Sequence, residues 1–257
     1  MKYTHLINQM KWSFSRLTAF EDCPYKFYLT YIEKVPKKEH FFSDYGSFVH
    51  LVMEKYLKGE LKREDLVTYY ILNFREYVKT KAPTEKIFKN YFEQGIDYFM
   101  EIPSPQTTCI GIEKDIEFFL DGKKFVGFID VVSQDENGIN IIDHKSRNLK
   151  PRGKGKKPTL TDKELDEYLR QLYIYSISIK EEFGVYPKNL IFNCFRTRKL
   201  VVEPFNEEVL EAVKNWAISL IEEIREESDW EPNIEDFKCK HICSVSDSCE
   251  YYQLYKN

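Results

Sequence analysis

The sequence predicts an α/β fold with a helical section at its N-terminus and a cysteine-bearing tail at its C-terminus. Two observations predict the mixed class: amphipathic segments with helical spacing fill the first 105 residues, and short apolar runs broken by hairpin turns follow them. A third is that another long helical pattern separates these runs from a second pair, so strands and helices alternate within one core. With 257 residues, 42% of them hydrophobic and 16% aromatic, the chain can bury a sizeable core as one domain. The expected sections are 1–105 (helical), 106–205 (core), 206–230 (a long helix) and 231–257 (the tail).

Ser15 is the expected N-cap of a helix over RLTAFEDCPYKFYLTYI. Amphipathic helices follow in SDYGSFVHLVMEKYL, REDLVTYYILNFREYVKT and TEKIFKNYFEQGIDYFMEI, and Pro103 and Pro105 close the section. IEKDIEFFL, KKFVGFIDVVSQ and INIIDHKS then read as a three-stranded meander, turned at Asp121-Gly122 and at Asp135 to Gly138. DKELDEYLRQLYIYSISIKEEF is a helix, and the hairpin NLIFNCF/KLVVEPF extends the sheet. Asn206 starts a helix through Ile224 that buries Val209, Leu210, Val213, Trp216, Ala217, Leu220 and Ile221. From Trp230 the tail reads as irregular.

The N-terminus has no apolar core long enough for a signal peptide, and no apolar run approaches the roughly 18 residues of a membrane span. The chain is therefore expected to be intracellular and cytoplasmic, with no membrane partner. Its net charge of −4 is weak evidence against a nucleic-acid partner, because only charge along a binding track meets phosphates. In a reducing compartment, clustered cysteines are read first as metal ligands.

Asp130, Asp143 and Lys145 carry the chemistry. Alternation puts Asp143 and Lys145 of IIDHKS on one face, and the preceding strand, GFIDVV, can bring Asp130 beside them. An Asp-x-Lys on a strand is more often a surface ion pair of little worth. Asp130, however, interrupts an apolar strand, where an unpaired carboxylate costs several kcal/mol and so calls for a cation. Two crowded carboxylates fit Mg²⁺ or Mn²⁺, and with an adjacent amine they point to metal-dependent phosphodiester hydrolysis.

With FSRLTAFEDCPYKFYLTYI, GSFVH, GFIDVV, IIDHKS, QLYIY and the terminal cysteines in this order, the chain resembles the PD-(D/E)XK nucleases. Within them it is similar to RecB-like exonucleases of the AddB and CRISPR-associated types. The resemblance implies a restriction-endonuclease-like core, a mixed sheet flanked by helices, with the active site on the meander. It also implies DNA as substrate, cut from ends, with single strands preferred. Asp130 and Asp143 match the metal-binding acids, Lys145 the catalytic lysine, and His50 of GSFVH a further metal ligand that favours manganese. Gln171 and Tyr175 match a QxxxY motif whose spacing shares one helical face, where they would orient DNA or the lysine. Glu113 and Glu117 compete for an approach to the same metal. No GxxxxGK[ST] is present, so unwinding would need a helicase or recombination partner. A structure-specific endonuclease and a catalytically silent DNA-binding or assembly subunit are the alternatives.

In one branch of that family a cysteine before the core and three after it hold a [4Fe-4S] cluster, and Cys23, Cys239, Cys243 and Cys249 match that arrangement. Three residues separate Cys239 from Cys243 where the branch usually has two, so Zn²⁺, with His241 as a substitute ligand, stays open beside the cluster. Cys109 and Cys194 sit among apolar strand residues and are expected in the core. The loop NLKPRGKGKKPTL carries Lys150, Arg152, Lys154, Lys156 and Lys157 with no acid. It leaves directly from the catalytic strand, which favours a DNA-contacting track over a merely solvated loop, with Arg196, Arg198 and Lys199 extending it. The many Tyr and Phe residues are expected in the core rather than as base-stacking platforms.

Overall fold

A computed structural model describes residues 3–102, 107–155 and 157–255. Pro103 and Pro105, expected to close the helical section, and Lys156 of the basic loop lie outside them. After α1 (Thr4–Asn8) comes α2 (Phe14–Asp22), capped by Ser13 rather than Ser15. Ser13 has the extended backbone of a cap and its hydroxyl accepts from the Arg16 N–H, whereas Ser15 is already inside the first turn. The single helix expected to run to Ile32 breaks at Cys23, whose backbone is extended. Pro24, suited to a first turn, then restarts it as α3 (Pro24–Phe27) and a π-helical turn, Tyr28–Ile32.

Three longer helices follow, α4 (Phe41–Leu57), α5 (Leu66–Tyr77) and α6 (Glu85–Glu101), the last capped by Thr84. The meander is β1 (Thr108–Leu120), β2 (Lys123–Asp135) and β3 (Gly138–Lys145). A capping box between Thr159 and Asp162 starts α7 (Leu160–Phe183), and β4 (Asn189–Cys194) and β5 (Lys199–Pro204) complete the sheet. In α8 (Glu207–Glu226) the Asn206 side chain caps two N–H groups, as expected. Val209 departs from its expected place, being 41% exposed while Leu210, Val213, Ala217, Leu220, Ile221 and Ile224 are buried. The tail is not irregular throughout, since it contains α9 (Asp236–His241) and α10 (Glu250–Tyr255).

Among the described residues the five strands form one sheet in the order β1-β2-β3-β4-β5. Every neighbouring pair is antiparallel except β3 and β4, which run parallel across the α7 crossover, so the sheet is mixed and flanked by helices. One hydrophobic cluster joins the sheet to α2, α7 and α8 through residues such as Leu17, Phe125, Leu172 and Ile221. A second, rich in rings, holds α4, α5 and α6 together around Tyr45, Phe48, Tyr70 and Phe74, and Phe195 after β4 belongs to it. No helix among the described residues is long and apolar enough to cross a membrane.

The contact that seats α7 on the meander is between Tyr175 and Gly127. A Cβ at position 127 would lie 2.8 Å from the Tyr175 ring and hydroxyl, so the glycine of GFIDVV is what lets the buried tyrosine of QLYIY lie against the strand. Gly127→Ala is therefore expected to cost about 1–3 kcal/mol by overpacking, read as a lower urea midpoint with an unchanged slope. A wild-type midpoint would show that α7 does not depend on this approach.

Candidate active site

The site begins where two strands part. β2 and β3 pair from Asp135–Gly138 to Val131–Ile142, while β3 stays paired with β4 as far as Lys145–Cys194. At the fork the His144 N–H donates to Asp130 Oδ2 at 2.6 Å, so a carboxylate occupies the position of a ladder partner. On the other side of β2, Glu113 lies between the Ile112–Val131 and Lys114–Ile129 pairs with a φ of 45°. A left-handed conformation costs a non-glycine residue about 1–3 kcal/mol and tends to persist at functional positions. It turns Glu113 toward Asp130.

From α4, the His50 Nε2–H donates to the His144 carbonyl at 2.9 Å. This fixes the ring with Nδ1 facing the acids, 3.6 Å from Asp130 Oδ2 and 3.9 Å from Glu113 Oε1. One ligand atom from each of His50, Glu113 and Asp130 lies within 4.8 Å of the other two, a donor set of one imidazole and two carboxylates suited to a hard divalent cation. Of the two competing glutamates, Glu117 lines the cleft but is outside this trio and pairs with Lys124. Asp143, expected as a metal ligand, is outside this trio. Its Oδ2 faces Lys145 Nζ at 2.8 Å, an ion pair whose angle falls short of a hydrogen bond.

Lys145 is caged. Its ammonium donates to Gln171 Oε1 at 3.0 Å and lies over the rings of Tyr168 and Phe192. Burial opposes its charge, but Asp143, with Asp130 behind it, more than offsets this and holds its pKa above the ordinary lysine value. Burial pushes the Tyr175 phenol up to about 12, against a pull from the Gln171 amide. Burial is also the main reason that the Asp130 carboxyl rises to about 7, reinforced by the Asp143 charge and opposed by His50 and the His144 N–H. Glu113 is raised by burial as well. The His144 imidazole, driven down to about 3 by burial, is neutral and accepts from Asn193 Nδ2 at 3.0 Å.

His50, Asp130, Asp143, Lys145, Gln171 and Tyr175 line one cleft of about 870 Å³, which also takes in Phe128, Asp115 and Ser13 and Ser15 at the start of α2, and Glu113 lines an adjoining pocket that shares His50 with it. The basic loop beside it is less free than a solvated coil. Arg152 is committed to Asp166 and Glu203, the Gly153 N–H donates to Asp162, and Leu149 is buried. Lys150, Lys154 and Lys157 remain exposed. Arg196 stacks on Tyr91 and donates to Gln94 and the Ser146 carbonyl, and Arg198 pairs with Asp97 and Glu101, while Lys199 is exposed.

The chain ends meet in a second cluster. All four cysteines at 23, 239, 243 and 249 are half-buried, and the Cys249 thiol is close enough to sense the other three electrostatically. Backbone N–H groups of Asn233, Val245 and Tyr252 point at the sulfurs of Cys23, Cys243 and Cys249. Around them Lys238 pairs with Asp22, Tyr25 donates to Glu250, and Trp230 stacks on Phe27. Cys194 is buried as expected, but Cys109 is only half-buried.

Sequence reasoning located Asp130, Asp143, Lys145, His50, Gln171 and Tyr175 within this one cleft. It did not separate Glu113 from Glu117 and did not single out His144, Asn193 or Tyr168, which sit in ordinary strand and helix patterns.

A family model for the PD-(D/E)XK nuclease superfamily matches residues 11–250. No curated protein matches the chain. Among solved structures it is similar to one from Eubacterium rectale described as a "Putative exonuclease", with 14% identity, a TM-score of 0.50, and coverage of 96% of this chain and 88% of that one. At that identity the likeness speaks for the fold alone.

The crowding of acids has a thermodynamic consequence. Without metal, Asp130 keeps its proton in the folded chain up to about pH 7, whereas an unfolded aspartate loses it near about pH 4. Between these values the native state binds more protons, so its stability falls as pH rises. Asp130→Asn, which can still accept from His144, is expected to flatten that fall and raise the neutral-pH melting temperature by several degrees in chelator. Thermal melts across the window check this, and an equally steep fall in the variant would assign it to other groups.

Proposed function

The chain belongs to the PD-(D/E)XK nuclease superfamily, and from that membership we propose that it is a DNA exonuclease dependent on Mg²⁺ or Mn²⁺, acting on single-stranded ends. The observation that carries the metal dependence is the convergence of His50, Glu113 and Asp130 on one point. The description of the similar Eubacterium rectale structure supports the exonuclease reading. The cut from ends, the strand preference and a role beside a helicase or recombination partner rest on resemblance to RecB-like enzymes. Because the first hydrophobic cluster is built on the sheet and the second takes in Phe195 from the connection between β4 and β5, residues 1–257 are read as one nuclease domain.

His50, Glu113 and Asp130 would hold the cation, with Asp143 beside them, and the bound cation would supply a water of lowered pKa and neutralise phosphate charge. Asp143 and Gln171 hold Lys145 protonated and aimed into the cleft, where its ammonium can meet the charge that develops on a phosphoryl oxygen. Tyr175 packs beneath on Gly127 and steadies Gln171. Among the described residues of the basic loop, exposed Lys150, Lys154 and Lys157 are free to meet the DNA backbone, and Arg152 acts instead as the loop's anchor.

The four cysteines would hold a [4Fe-4S] cluster. N–H donors to three of the sulfurs support thiolates at these positions, as a cluster needs, and Zn²⁺ is the alternative metal for the same four cysteines. The cluster's part is structural, tying α2 and α3 to the tail.

Two tests follow. Asp130→Ala and Asp143→Ala should each abolish cleavage of end-labelled DNA, and Lys145→Ala should lower kcat by about a hundredfold while calorimetric Mn²⁺ binding persists. Wild-type cleavage by any of the three would sink the assignment, and degradation of closed circular single strands would replace exonuclease with endonuclease. For the cysteines, anaerobically purified protein should be brown, with about four irons and four sulfides per chain. Cys23→Ser should bleach it and lower its melting temperature. Stoichiometric zinc without sulfide would install the zinc site in its place.

A further inference from the structure

We propose that Phe128 is a base-stacking platform that makes the cleft selective for unpaired nucleotides. The proposal rests on the nuclease reading and deepens it, because it assigns the strand preference to a residue of this chain. Phe128 is 59% exposed, whereas most of the large rings of the protein are buried or half-buried. It lies on β2 two residues, about 7 Å of strand, from Asp130 and so within the reach of one nucleotide. Both line the cleft that holds Lys145. Its cross-strand neighbour is Asp115, not another apolar residue, and among the described residues no ring packs against it. An apolar ring left in water beside crowded acids gains by being covered, and the face of a nucleobase is the cover that a phosphate held at the trio would bring.

Strand selectivity follows from what the ring needs. In a duplex each base is stacked between its neighbours and shows only its edges in the grooves. An unpaired base offers a free face, and stacking tolerates any base because every base has one. Phe128 would thus hold the nucleotide next to the scissile phosphate whatever its identity, and would be idle against intact duplex. The ring is the functional element, so tryptophan should serve and leucine, of similar apolar character, should not.

The test measures binding and cleavage separately on the folded, metal-loaded protein. Single-stranded oligonucleotides carrying 2-aminopurine near the end are titrated in Ca²⁺, which permits binding without turnover, against wild type, Phe128→Ala, Phe128→Leu and Phe128→Trp. Wild type and Phe128→Trp are expected to quench the fluorophore, while Phe128→Ala and Phe128→Leu lose the quenching and bind about tenfold more weakly. An abasic site at the same position should make all four alike, as should duplex DNA. Unchanged affinity and quenching in Phe128→Ala would overturn the proposal, as would an equal loss on abasic DNA. Cleavage in Mn²⁺ is read on the same samples. Wild-type protein that quenches but never cuts would overturn the nuclease reading and leave the stacking role standing.

Discussion

The hydrogen bond from the His144 N–H to Asp130 Oδ2 is the interaction on which the site depends. Strands that run side by side normally spend their N–H groups on each other, which leaves no room for chemistry between them. Here β2 and β3 separate beyond Val131 and Ile142, and the exposed N–H is satisfied by a side chain instead of a backbone carbonyl. The same residue supplies the carbonyl that fixes the His50 ring. One residue of β3 thereby orients two members of the trio, its donor holding Asp130 and its acceptor holding His50. The arrangement is costly without a cation, as the raised Asp130 and Glu113 pKa values record.

Lys145 illustrates how a buried ammonium is kept charged. Desolvation alone would lower its pKa, but Asp143, the Gln171 amide and two aromatic faces surround it with negative potential. The division of labour among the acids follows from this. Asp143 is turned toward the lysine, which leaves Glu113 as the third member of the converging set. Glu113 reaches it through a left-handed backbone, a local strain that the proposed metal role would explain.

The two chain ends are tied together at a distance from the cleft. Cys23 sits where α2 breaks before Pro24, and the tail wraps back to it through Asn233, Lys238 and the Trp230 ring. Because α2 also opens onto the cleft through Ser13 and Ser15, a cluster joining Cys23 to the tail would stiffen one wall of the site without entering it. Closing a loop of that length removes much entropy from the unfolded chain.

The sequence by itself determined the five strands and the longer helices, because hydrophobic periods of two and of 3.6 residues and turn residues such as Asp121-Gly122 are local properties, whereas the break at Cys23 and the short tail helices α9 and α10 escaped it. Alternation along two strands also singled out Asp130, Asp143 and Lys145, and resemblance to a nuclease family added His50, Gln171 and Tyr175, all six of which line one cleft. Small misreadings were local too: Ser13 and Ser15 are both competent caps, and only the backbone angles choose between them. Tertiary structure decided what depends on neighbours from other elements. Alternation alone gives Glu113 and Glu117 the same face and makes them equivalent in sequence, but only the first lies opposite Asp130, and Lys124 pairs with the second. Arg152 looks like a phosphate contact until Asp166 and Glu203 claim its charge. Phe128 reads as one more core aromatic in an apolar strand, and it is the opening of β2 beside β3 that leaves its ring in the cleft. Burial and partnership are relations between distant parts of the chain, and no local pattern encodes them.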